Sequence, residues 1–212
     1  VQDSDPSVRR EAITALSQFS SIEAFNTALL AYNSNMDQSY SFALRQTCRM
    51  LSKYWLPSVN DGNLKPKGNQ GAFIFALKAT EDPRTIEPLI DFFRISENPD
   101  ISILAAIGRS GNSEQLNFLT EIVSTSDNSY ASDAANALLI AAKDRGVFPT
   151  KNKVESLQTL FALDDESTQK AACALVGYWK SEEYIDLLKQ QLSNSNTSHA
   201  IQESAAQSLA IF

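Results

Sequence analysis

At 212 residues, 43% hydrophobic and 20% charged, with only 7 glycines and 7 prolines, the chain has the composition of an ordinary folded protein and not of a disordered one. Its formal net charge of −7 repels phosphate backbones, so nucleic-acid binding is excluded unless a local basic patch overrides the global field. No apolar run approaches the roughly 20 residues that a membrane-spanning helix needs, which argues against membrane insertion.

Taken in chain order, the pattern is helical throughout, with no sustained alternation of the kind a strand requires. Asp5-Pro6 opens the first helix, an aspartate to cap it and a proline at the first helical position. Val8, Ala12, Ala15, Leu16 and Phe19 then form an apolar stripe at helical spacing. Ser20-Ser21 breaks it, and Ile22, Phe25, Ala28, Leu29 and Tyr32 make a second amphipathic helix, so the pair reads as an αα-hairpin. The unit recurs. Apolar anchors late in each first helix fall at Leu16, Leu51, Leu77, Ile107, Leu138, Leu175 and Leu209. Their intervals of roughly 26 to 37 residues suit a helical-repeat array. Small residues precede several anchors, as at Ala76, Ala106 and Ala137, and aromatics follow at Phe19, Tyr54, Tyr178 and Phe212, where they are expected to fill the space between layers. Second helices are expected around Ile86–Phe93, Leu116–Val123, Val154–Phe161 and Tyr184–Leu188. The stretch 57–70 is too polar and too short for a full helix and is expected to be an irregular loop with at most one helical turn. The expected fold is therefore all-α, an α-α superhelix of about six or seven irregular repeats forming one domain over 1–212. Val1 and the mid-pattern end at Phe212 suggest a piece of a longer chain.

The segment from Asp3 to Ala12, with Asp5-Pro6-Ser7-Val8-Arg9-Arg10-Glu11 at its centre, resembles the HEAT-repeat family, in particular its phycobilin-lyase-like branch. Asp82-Pro83-Arg84-Thr85-Ile86-Glu87-Pro88 looks like the other half of that unit. The resemblance implies that the Asp-Pro helix is the inner, concave one, and that Arg9 bonds Asp3 or Asp5; Thr168-Gln169 depart from this pattern later in the chain. A narrower likeness runs from Met36 to Phe93, through Phe42-Ala43-Leu44-Arg45, Tyr54-Trp55-Leu56-Pro57 and Phe75-Ala76-Leu77-Lys78. It is similar to the HEAT region of large bacterial proteins that join a sorbosone- or glucose-dehydrogenase-like propeller to a C-terminal c-type haem domain. That likeness implies an exported or periplasmic parent, in which this segment is a spacer or docking surface; without it, a cytoplasmic location is the default.

Reactive chemistry finds little support. His199, the sole histidine, stands without a cysteine or carboxylate cluster, so no metal site is expected. Cys48 and Cys173 sit among apolar neighbours and read as buried free thiols. Asp164-Asp165-Glu166 and Glu182-Glu183 stand at expected helix starts, where carboxylates meet the helix dipole favourably. No nucleophile elbow or phosphate-binding glycine loop is present, and no catalytic residue or cofactor is expected. Two features offer binding surface. Arg9, Arg10, Arg45 and Arg49 form a basic spot if neighbouring inner helices stack, or else pair with Asp3, Asp5 and Asp37. Tyr54-Trp55 and Tyr178-Trp179 end inner helices; one member of each pair must pack while the other is free to project, and tryptophan is a frequent interface anchor. The expected function is a non-catalytic protein–protein or interdomain module. The rival from another class is an enzyme, either a phycobilin-lyase-like chromophore enzyme or a HEAT-fold DNA glycosylase.

Overall fold

The structure, a computed structural model, describes residues 1, 3–33, 35–61, 69–125 and 129–212. The described residues are helical with no strand, as the periodicity requires. They fall into two compact units, Val1–Glu97 and Asn98–Phe212, each taken here by itself.

The first unit holds α1 (Pro6–Leu16), α2 (Ile22–Leu29), α3 (Gln38–Met50), α4 (Ser52–Asn60), α5 (Gln70–Thr80) and α6 (Ile86–Ile95), the last entered through a 3-10 turn at Pro83–Thr85. Short polar side chains start these helices by accepting from exposed first-turn N–H groups. Asp5 accepts from Ser7, Ser21 from Ala24, Asp37 from Tyr40 and Asn69 from Ala72. Along the stack α1 packs on α3 and α3 on α5, with α2 and α6 covering from the other side. The core is aromatic: Phe25 stacks on Trp55 at 4.4 Å, Trp55 meets Phe73 edge-on at 6.3 Å, and Phe73 meets Phe92 at 6.0 Å. This row of rings ties α2, α4, α5 and α6 together.

Three local expectations need correction in this unit. The apolar stripe of α1 does not face its neighbours: Ile13 is the buried residue, whereas Val8, Ala15 and Phe19 are exposed. The helix expected to run to Trp55 stops at Met50, because the backbone changes course at Leu51, which closes α3 and opens α4. That turn swings Trp55 under α2 and onto Phe25. The irregular stretch expected from 57 begins later, since α4 carries Pro57 and continues one turn to Asn60; residues 62–68 lie outside the described residues.

The second unit contains α7 (Ser102–Ser110), α8 (Ser113–Val123), α9 (Ala131–Arg145), α10 (Lys153–Ala162), α11 (Glu166–Trp179), α12 (Ile185–Ser193) and α13 (His199–Leu209). Its first helices contact in sequence, α7 on α9, α9 on α11 and α11 on α13. Helices α8, α10 and α12 cover them: α8 touches α9 and α10, α10 touches α11, and α12 touches α13. Both units bury alanines, and this one relies on them more heavily to let helices close in. Ala134, Ala135, Ala137, Ala141 and Ala142 of α9 are all buried, as are Ala171 and Ala172 of α11. Gly108 of α7 lies so near α9 that a Cβ there would fall 2.3 Å from the Ala137 carbonyl oxygen. Between the layers, Asn117 clamps the loop ahead of α10. Its Oδ1 accepts from the main-chain N–H groups of Thr150 and Lys151, and its Nδ2 donates to the Thr150 hydroxyl. The aromatics expected to fill the space between layers do so poorly: Tyr54 and Tyr178 are half-exposed, and Phe19 and Phe212 are exposed. Branched aliphatics at Leu51, Leu77, Ile107, Leu138 and Leu175 fill it instead.

A spacing recurs at the junctions between first helices. The Thr47 hydroxyl of α3 donates to the Ile13 carbonyl of α1, 34 residues back. The Ser204 hydroxyl of α13 donates to the Lys170 carbonyl of α11, again 34 back, and Ser208 donates to Cys173, 35 back. In each case a buried hydroxyl finds its acceptor on the neighbouring helix, where an unpaired one would cost about 1–3 kcal/mol. The C-terminal ends are stitched as well. Glu81, in the left-handed conformation that ends α5, pairs with Arg49 of α3 at 2.9 Å. Lys180, in the same conformation after α11, donates to the Ile211 carbonyl beyond α13.

Candidate interaction surface

The basic spot expected in the first unit is taken apart by its own surroundings. Arg9 folds back along α1: its Nη1 donates to the main-chain carbonyls of Asp3 and Ser4, and its guanidinium lies 5.6 Å from the Tyr40 ring centre. The carboxylates expected to receive it are engaged locally, Asp5 as the cap of α1 and Asp3 with the Asp5 N–H. Arg10 reaches the Ser39 hydroxyl at 3.3 Å and Glu11 at 3.5 Å. Arg49 bonds the end of α5 through the Ala79 carbonyl and Glu81. Arg45 alone is exposed with no partner among the described residues. The four arginines therefore share neighbouring helices, α1 and α3, while three of them are spent on local or interhelical bonds.

Neither tryptophan is an exposed anchor. Trp55 is fully buried, and its indole N–H donates to the Cys48 carbonyl at 3.1 Å. Trp179 ends α11 as expected but is 8% exposed, and its indole nitrogen is buried without a partner among the described residues. In both pairs the tyrosine projects, because consecutive helical positions lie 100° apart and only one can face the core.

The remaining candidates have structural duties. Burial pushes the thiols of Cys48 and Cys173 up to about 12, which keeps both protonated and unreactive at neutral pH. Asp165 caps α11, taking bonds from the Thr168 N–H and hydroxyl; those bonds hold its carboxyl below the usual range. His199 is exposed at the first position of α13. Among the described residues, no three metal-ligating side chains converge, and no helix is long and apolar enough to cross a membrane.

A surface that sequence reasoning did not single out lies in the second unit. The exposed sides of α9, α11 and α13 enclose a groove of about 420 Å³. Its floor is α11, where Ala171 and Ala174 leave room beneath longer side chains. Leu139 and Lys143 rise from α9 on one side, Gln207 of α13 and Ile211 just beyond it on the other. Lys170 and Tyr178 mark positions two turns apart on α11. The signal was present in the spacing of Ser167, Lys170, Ala171, Ala174 and Tyr178, which share one face of a helix at intervals of three and four. It reads as a groove only once the flanking helices are known. A second depression of about 380 Å³ has opposite character, with Asp164, Asp165 and Glu166 beside the amide-rich turn before α13. The chain matches no protein-family model and no curated protein sequence.

Proposed function

We propose that the chain is an α-α superhelix of degenerate HEAT-type repeats, whose role is to hold another protein, or a neighbouring domain of its own parent chain, against the layer of first helices. The observation that carries this reading is the groove over α9, α11 and α13. It is a recess on the helix layer itself, lined in part by Lys143 and Lys170, whose ammonium groups have no partner among the described residues. The hydroxyl-to-carbonyl bonds recurring at 34 and 35 residues support the repeat assignment, since they join equivalent helices of successive hairpins. In its most concrete form, resting on the family resemblance, the module links a sugar-dehydrogenase-like propeller to a c-type haem domain in an exported bacterial protein.

The test is site-specific photo-cross-linking in the native cell. A benzoylphenylalanine replacing exposed Asn136, in the groove, is compared with one replacing Asp186, exposed on α12 of the covering layer. Docking on the first-helix layer yields a discrete cross-linked protein or a defined intrachain link from position 136 and not from 186. Equal or absent cross-linking at both positions overturns it.

A further inference from the structure

The groove has a sign of charge that the protein as a whole lacks. In a chain of net charge −7, its lining contains Lys143 and Lys170 and no carboxylate. A third cation, Lys180, stands at its end, bonded to the Ile211 carbonyl and 5.3 Å from the Phe212 ring centre. Acids on the same helices, among them Asp144, Glu166 and Glu203, are exposed but outside the groove's lining; Glu203 receives the Gln207 amide, and Asp165 caps α11. The two lysines are exposed and unpaired among the described residues, so neither has a structural duty comparable to that of Arg49 or Lys180.

Dimensions limit what fits. From Ser167 to Tyr178 the floor helix advances eleven residues, about 16 Å at 1.5 Å per residue. An extended chain covers that distance with about five residues. Polar and apolar groups are mixed along it: Asn136 and Gln207 offer amides, while Leu139 and half-buried Tyr178 offer apolar contact.

We infer that this groove binds an extended acidic peptide segment of a partner protein, about five residues long, whose carboxylates meet Lys143 and Lys170 and whose apolar side chain rests against Tyr178 and Leu139. This rests on the docking reading above and names the chemistry of its partner. Charge complementarity supplies the selection: the bulk of the protein repels an acidic segment, and the groove is where that repulsion reverses.

The inference is tested by selecting a random six-residue peptide library, displayed on phage, against the whole chain, then measuring enriched peptides by fluorescence anisotropy. Enriched sequences should carry two or more Asp or Glu with one aromatic or aliphatic residue. Their affinity should fall as salt rises and drop about tenfold or more in the doubly charge-reversed Lys143→Glu/Lys170→Glu variant, the scale for two partly exposed ion pairs turned to repulsion. Both positions are exposed, so circular dichroism of the variant should match the parent. Enrichment of neutral or basic peptides, no enrichment, or affinity untouched by the double variant overturns the inference. So does a thymidine oligonucleotide that outcompetes the acidic peptides with the same lysine dependence. Cross-linking from position 136 in the double variant separates the two readings: persistence with a failed selection rejects the acidic occupant alone, and loss in the unaltered chain rejects docking itself.

Discussion

Replacing Gly108 by alanine sets two effects of opposite sign against each other. In an isolated helix the change stabilises by about 1 kcal/mol, because alanine loses less backbone freedom on folding. Here the added Cβ would lie 2.3 Å from the Ala137 carbonyl oxygen and 2.9 Å from both its carbonyl carbon and Cα. All three are main-chain atoms in the middle of α9, itself packed against α7 and α11, so no side chain can rotate away. Restoring ordinary contact requires α7 and α9 to separate by about 1 Å, enough to forfeit a quarter to a half of the dispersion attraction of the contacts that open. Overpacking of this kind costs roughly 1–3 kcal/mol, and the rigidity of the obstacle puts Gly108→Ala at the upper end. The expected net loss is about 2 kcal/mol, a fall in Tm of roughly 4–8 °C for a chain of this size. Thermal and urea melts followed by circular dichroism measure it. Two further glycines calibrate the result. Gly177→Ala meets the Cα, Cβ and hydroxyl of Ser208, each at 3.0 Å, a milder approach than 2.3 Å, and should cost less than Gly108→Ala. Gly146→Ala meets nothing within 4 Å but sits at φ +63°, and should cost about 1 kcal/mol through backbone strain alone. A Gly108→Ala protein as stable as the parent, or more so, would refute the close-contact argument.

Asn117→Ala removes the acceptor of the Thr150 and Lys151 N–H groups, and should lower stability by about 1–3 kcal/mol while speeding hydrogen exchange at those two amides. Cys48 and Cys173 should resist thiol-specific reagents at pH 8 in the folded chain and react fully in denaturant. Because their folded pKa values are raised, the folded state keeps protons that the unfolded state has released. Stability from this source is complete below about pH 9 and falls between about 9 and 12, by about 1.4 kcal/mol per pH unit for each thiol. Cys48→Ala should flatten that decline in urea titrations. Asp165 has its folded pKa lowered, so its contribution is present above the ordinary carboxyl pKa and is lost as pH falls below it. Asp165→Ala should therefore reduce Tm at pH 7, and the difference from the parent should shrink as pH falls through the folded carboxyl's titration.

The helices, the Asp5 cap and the carboxylates at the start of α11 could be read from the sequence because they depend on neighbours along the chain. Asp5, Asp37 and Asp165 act within three residues of themselves, and the spacing of Leu77, Ile107 and Leu138 survives the irregularity of the repeat. What was hidden depends on which partner a face meets. The stripe on α1 is well formed, yet its burial was misjudged because amphipathicity gives a face and not a neighbour. The turn at Leu51 carries no glycine or proline; the stacking of Trp55 on Phe25, residues 30 apart, accompanies it. The expected partners of Arg49 all precede it in the chain, at Asp3, Asp5 and Asp37, whereas the observed one follows it at the left-handed end of α5. The groove was missed for a related reason. Alanines on a helix face signal close packing as readily as a recess, and only the longer side chains of α9 and α13 decide which.

The bonds at 34 and 35 residues bear on how the second unit responds to load. There Arg145 at the end of α9 bonds the Gly108 carbonyl of α7, Ser204 and Ser208 of α13 bond main-chain carbonyls of α11, and α9 packs on α11; no helix of that layer contacts one two places away as extensively. Pulled from its C-terminus, such an array should peel and not shatter: the bonds of Ser204 and Ser208 to α11 yield together and release one hairpin, while α9 and α11 still hold. At about 3.5 Å per extended residue, a released repeat of 34 residues adds roughly 120 Å of contour length. A segment built this way would act as an extensible tether between whatever bodies it joins, lengthening in discrete steps under strain and closing again when the strain is removed.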